Sequence, residues 1–142
     1  MKGVLVKDKA GALRQKTTRR LCVLAVKGGE PVLEYFATED IDSEEVTTGY
    51  GDPVLKGELP LTGAQIVGLT DFKFTITVSK ELYKNHKNAG IGIGLYTDEG
   101  DDEAKKTRMD RWRAAIEEVQ ITAFQKGLGI DSEAATLVGG LD

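Results

Sequence analysis

Residues 101–127, DDEAKKTRMDRWRAAIEEVQITAFQKG, carry the clearest hydrophobic period in the chain. Met109, Trp112, Ile116, Val119 and Ala123 recur at steps of three and four, which places them on one face of a helix. Lys105, Lys106, Arg108, Arg111, Glu117 and Glu118 fall mostly off that face. Asp101, Asp102 and Glu103 suit a helix N-terminus, and Lys126 followed by Gly127 suits its end. Ile121, Phe124 and Leu128 form a second short stripe roughly opposite the first. It either buries the helix end in the chain's own core or meets a second subunit. Val119-Gln120-Ile121-Thr122 alternates, and by chemistry alone also suits a strand.

The residues before this helix read as strands. Val4-Leu5-Val6 is a short strand, and residues 12–20 return either as its hairpin partner or as a basic arm. Residues 21–27, LCVLAVK, are apolar on both faces, as in a central strand. Gly28-Gly29 turns the chain back into residues 32–38. Residues 40–52 read mostly as acidic loop, with room for a short strand at Val46-Thr47-Thr48. Val54-Leu55 and residues 59–61 are brief apolar pieces broken by Gly57 and Pro60. Residues 64–69 suit a strand or a turn of helix. Phe72, Phe74, Ile76 and Val78 alternate with Lys73, Thr75, Thr77 and Ser79, the mark of a half-buried strand. Ile91, Ile93 and Leu95 alternate with Gly92, Gly94 and Tyr96, and the bare glycine face is a natural seat for the long helix. Asp131-Ser132-Glu133 caps a short final helix that Gly139-Gly140 ends. The expected fold is α+β. An antiparallel β-meander with an N-terminal hairpin forms the sheet, and one long and one short C-terminal helix cover one face of it. Residues 1–142 make one domain.

Composition narrows the function. The chain is 30% charged and 40% hydrophobic, as in a soluble globular protein. Its longest apolar run, residues 21–26, is too short to cross a bilayer, and the N-terminus lacks the form of a signal peptide. The single cysteine, Cys22, sits in that run and reads as a buried thiol. The net charge of −4 is unevenly spread. Residues 1–20 carry Lys2, Lys7, Lys9, Arg14, Lys16, Arg19 and Arg20 against Asp8, whereas residues 39–58 carry seven acids against Lys56. Such segregation serves either a nucleic acid or the fit of one subunit to another.

Enzyme chemistry is poorly provided for. One histidine, His86 in a polar loop, and one cysteine cannot make a nitrogen–sulfur zinc site. No serine stands in a nucleophile-elbow context. Gly90-Ile91-Gly92-Ile93-Gly94 lacks the spacing of a dinucleotide fingerprint. Residues 98–103 lack the alternate ligands and distal glutamate of a calcium loop. No metal site or cofactor is expected. Arg14, Lys16, Arg19 and Arg20, with Lys73 on the polar face of its strand, are candidates for phosphate contact without base readout.

The late strands at residues 72–78 and 91–96, Thr97-Asp98-Glu99 leading into the long helix, and the short helix at 132–138 give an order of elements with a known parallel. It resembles the coat proteins of single-stranded RNA bacteriophages. The resemblance implies an obligate dimer in which the helices of one subunit reach over the partner's sheet, with the polar sheet face toward RNA. On that basis the expected protein is a non-enzymatic, self-assembling capsid component. It forms a homodimer and larger shells, contacts RNA but no membrane, and resides in a virion assembled in the host cytoplasm. Trp112, Ile116, Ile121, Phe124 and Leu128 are the expected subunit interface. The alternatives are a small nucleic-acid-binding domain that does not assemble, or a small enzyme or ligand-binding domain.

Overall fold

The computed structural model describes residues 1–9, 18–37, 54–70 and 72–127. Among the described residues, seven strands form one antiparallel sheet: β1 (Lys2–Lys9), β2 (Thr18–Lys27), β3 (Glu30–Ala37), β4 (Leu55–Pro60), β5 (Gln65–Thr70), β6 (Lys73–Thr77) and β7 (Gly92–Tyr96). Their order is β4-β3-β2-β1-β7-β6-β5, followed in the chain by one helix, α1 (Asp102–Gly127). The architecture is therefore α+β, an antiparallel sheet with a C-terminal helix. The N-terminal hairpin is present, since β1 and β2 pair antiparallel from Lys2↔Val23 to Lys7↔Thr18. The expected strand at 46–48 and the short helix at 132–138 lie outside the described residues, as do Arg14, Lys16 and Leu128.

Local chemistry explains most elements. Gly28 and Gly29 take φ of 59° and 82°, values that a two-residue hairpin turn needs and that residues with a Cβ rarely adopt. The β2–β3 register then runs unbroken from Lys27↔Glu30 to Arg20↔Ala37. At the start of α1, the Asp101 Oδ1 accepts the Ala104 N–H at 2.8 Å, an N-cap contact. Val119 to Thr122 are helical, so the helical period prevails there over their strand-like chemistry.

One face of the sheet carries Leu5, Cys22, Leu33, Tyr35, Leu59, Phe74, Ile76, Ile93 and Leu95, and α1 lays Met109, Trp112 and Ile116 onto them. The central strands are apolar on both faces: Val4, Val6 and Leu21 point the other way and are buried too. The two-sided reading of residues 21–27 holds for Leu21 and Cys22, whereas Val23, Leu24 and Ala25 are half-buried and Val26 and Lys27 are exposed; the strand itself begins at Thr18. The two apolar pieces at 54–55 and 59–61 likewise belong largely to one strand, β4, whose pairing with β3 shifts register between Tyr35 and Phe36.

Two expectations are corrected. The glycine face of β7 does not seat the helix. Gly92 and Gly94 face Thr75 and the Asp8 and Lys73 side chains, and α1 packs on the Ile93–Leu95 face instead. Apolar area decides this, because two glycines offer a helix nothing to bury. Trp112 and Ile116 cannot form a subunit interface either. They are 1% and 0% exposed within the chain's own core, so no surface of theirs remains for a second subunit. Ile121 and Phe124, by contrast, are 58% and 67% exposed.

A basic mouth at the open end of the sheet

Strand parity sorts the basic residues onto two faces. In β1, Leu5 and Lys7 share the helix-facing side, while Val6 and Asp8 share the other. In β2, Arg20 pairs with Leu5 in β1 and with Ala37 in β3, and so stands on the helix-facing side with Cys22. Lys7 and Arg20 thus project from neighbouring strands into the same side of the sheet. Among the described residues, the contacts of α1 with these two strands lie at their other ends. At the other end of β1, Gly3 lies against Arg108 and Trp112 of α1. At the other end of β2, Val26 and Gly29 face Glu118, Val119 and Ala123 of α1.

The surroundings of this pair suit an anion. The Lys7 Nζ sits 4.6 Å from the centroid of the Tyr35 ring, a cation–π contact that holds the side chain over the sheet. The Arg20 Nε is buried and has no hydrogen-bond partner among the described residues. Next to Arg20 on the same side of β2, burial pushes the Cys22 thiol up to about 12, while the charges of Lys7 and Arg20 both pull it the other way. The thiol therefore senses both cations across a poorly solvated space.

The residues expected to contact phosphate do not form one patch. Arg20 is on the helix-facing side. Arg19 and Lys73 are on the opposite face, each held by carboxylates. The Arg19 Nη2 donates to Glu99 Oε1 at 2.7 Å, with Asp98 Oδ2 at 3.9 Å from its Nε. Lys73 is ion-paired with Asp8 and lies 5.4 Å from the Tyr96 ring. Glu99 also reaches the Arg108 Nη1 at 3.7 Å. Charges committed to neighbouring carboxylates contribute little net field for a nucleic acid. Lys7 and Tyr35 were not singled out from sequence. The signal for Lys7 was its parity with Leu5, which puts it in step with the core.

His86 is not a simple surface histidine. Its Nε2 lies 3.0 Å from the Glu58 carbonyl oxygen, and its Nδ1 accepts the Asn88 N–H at 3.0 Å. With Nδ1 accepting, the proton belongs on Nε2 and donates to Glu58. The ring therefore fastens the loop between β6 and β7 to β4.

No family model matches the chain, and no curated protein matches it in sequence. Its fold is similar to a solved structure, the C-terminal PH domain of pleckstrin in complex with D-myo-Ins(1,2,3,4,5)P5. The TM-score is 0.55 at 18% identity, over 84% of this chain and 95% of that one. This likeness overturns the expectation of a self-assembling capsid protein, of a homodimer as the working unit, and of RNA as the partner. The similar structure is a PH domain holding an inositol phosphate. The physical reason is visible in α1, which folds over its own sheet where the coat-protein resemblance required it to cover a partner's.

Proposed function

We propose that the chain is a small ligand-binding domain without catalytic activity of its own, which takes a multiply phosphorylated polyol at the Lys7–Arg20 mouth. The observation that carries this reading is the buried Arg20 Nε, which has no hydrogen-bond partner among the described residues. A buried donor left unsatisfied costs about 1–3 kcal/mol, and more where the group is charged. An anionic oxygen from a ligand removes that cost. Guanidinium suits phosphate in particular, since its planar fork donates two parallel hydrogen bonds to it. Lys7, held over Tyr35 on the adjacent strand, supplies a second positive charge on the same side of the sheet. The likeness of fold to a domain solved with an inositol pentakisphosphate adds support for the ligand class.

Calorimetric titration of the full chain with D-myo-inositol pentakisphosphate tests the reading. Arg20→Ala and Lys7→Ala should each weaken binding about tenfold or more, the order expected for losing one charge-assisted contact. Affinity should fall as salt is raised. Absence of heat at millimolar ligand, or full retention of affinity in Arg20→Ala, would sink it.

A further inference from the structure

Helix α1 continues past the core it covers. Its last buried residue is Ile116, and the helix continues to Gly127. Val26, 58% exposed, and the Gly28–Gly29 turn stand across from Val119, Thr122 and Ala123. The cleft between them holds about 160 Å³ and adjoins one of about 600 Å³ bordered by Thr62, Gly63, Gln120 and Phe124. The two share Gly29, Ala123 and Lys126. The result is a groove with apolar walls, whose rim carries, among the described residues, Glu30 and Glu118 against one cation, Lys126.

We infer that this groove docks an amphipathic helix of another protein, one whose apolar face is flanked by lysine or arginine. The walls favour an apolar face at Val26, Val119, Ala123 and Phe124. The carboxylates of Glu30 and Glu118 favour basic flanks and oppose an anionic lipid surface, since like charges brought together are repelled. The groove lies at the opposite end of β2 from Arg20. Val26 lies six steps along β2 from Arg20, and a strand rises ~3.3 Å per residue, so the two sites stand roughly 20 Å apart. An occupant of the groove therefore leaves the Lys7–Arg20 mouth open. The inference stands on the groove alone and does not depend on what the mouth binds.

The test uses two synthetic helical peptides with the same leucine pattern, one completed with lysine and one with glutamate. Fluorescence anisotropy measures both against the full chain. The leucine–lysine peptide should bind in the micromolar range and the leucine–glutamate peptide about tenfold more weakly or worse. Phe124→Asp and Val26→Asp should each lower the first affinity about tenfold while leaving the thermal midpoint and the inositol phosphate titration unchanged. Charge reversal at Glu30→Lys with Glu118→Lys, both at the rim, should invert the preference between the peptides. Equal binding of the two peptides, or unchanged affinity in Phe124→Asp, would overturn the inference. So would binding to phosphatidylcholine–phosphatidylserine vesicles that Phe124→Asp abolishes. Nuclear Overhauser contacts in the free protein between the Phe124 ring and methyl groups of residues 128–142 would also overturn it, by assigning the groove to the chain itself.

Discussion

Lys73 and Asp8 form an ion pair across β7, although β6 and β1 are not neighbours in the sheet. The pair passes over Gly94, which is registered with Asp8 on one side and Thr75 on the other. A Cβ at this position would collide with Asp8 Oδ1 and come within 2.9 Å of the Lys73 Cε. Gly94→Ala should therefore destabilise the fold by about 1–3 kcal/mol, the usual range for forcing extra volume into a filled space. Urea denaturation reads the loss. In an Asp8→Ala background the same substitution should cost clearly less, because the atom it strikes is gone.

Cys22 should be inert in the folded state. Its thiol is fully buried and its ionisation is pushed up to about 12, so almost no thiolate exists at neutral pH. Ellman's reagent should react only after denaturant is added. The shift also carries a pH dependence. The folded-state value lies above the ordinary 9.0, so the group favours folding fully below pH 9 and loses that contribution as pH rises toward 12. Cys22→Ala should lose less stability than the parent chain between pH 9 and 11, measured as the difference between their urea midpoints.

His86 should matter for folding and not for ligand binding. His86→Ala removes a bond to the Glu58 carbonyl and leaves the Asn88 N–H without its acceptor. A loss of about 1–3 kcal/mol is expected for one broken buried bond and one orphaned group. Limited proteolysis should then cut faster within residues 79–91, while inositol phosphate affinity stays at its parent value.

Local pattern made several elements readable before any coordinates. The alternation of Phe74, Ile76 and Val78 identified β6, the paired glycines identified the β2–β3 turn, and the acidic start and three-four spacing identified α1. Strand neighbours were another matter. β1 pairs with β7 over more than eighty residues of sequence, from Val6↔Tyr96 to Lys9↔Ile93, and nothing in either strand's own pattern names the other. Without that pairing the same order of strands and helix fitted a sheet that needs a partner's helix. The side on which α1 lands was misread for a related reason. Gly92 and Gly94 mark a close approach, but a sequence does not say whether a helix or an ion pair makes it. The mouth was half readable. Arg20 stood among the candidates, and strand alternation separates it from Arg19, but which of the two shares a side with α1 follows only from the packing of Leu5 and Cys22.

The Gln120 side chain donates to the carbonyl oxygens of Leu61 at 2.8 Å and Ala64 at 3.1 Å. Ahead of that clasp lie all three deeply buried residues of α1; behind it, none of residues 121–126 is buried. The roughly two turns after Gln120 should therefore exchange their amide hydrogens with water faster than the turns ahead of it, with the Gln120 clasp marking where protection begins.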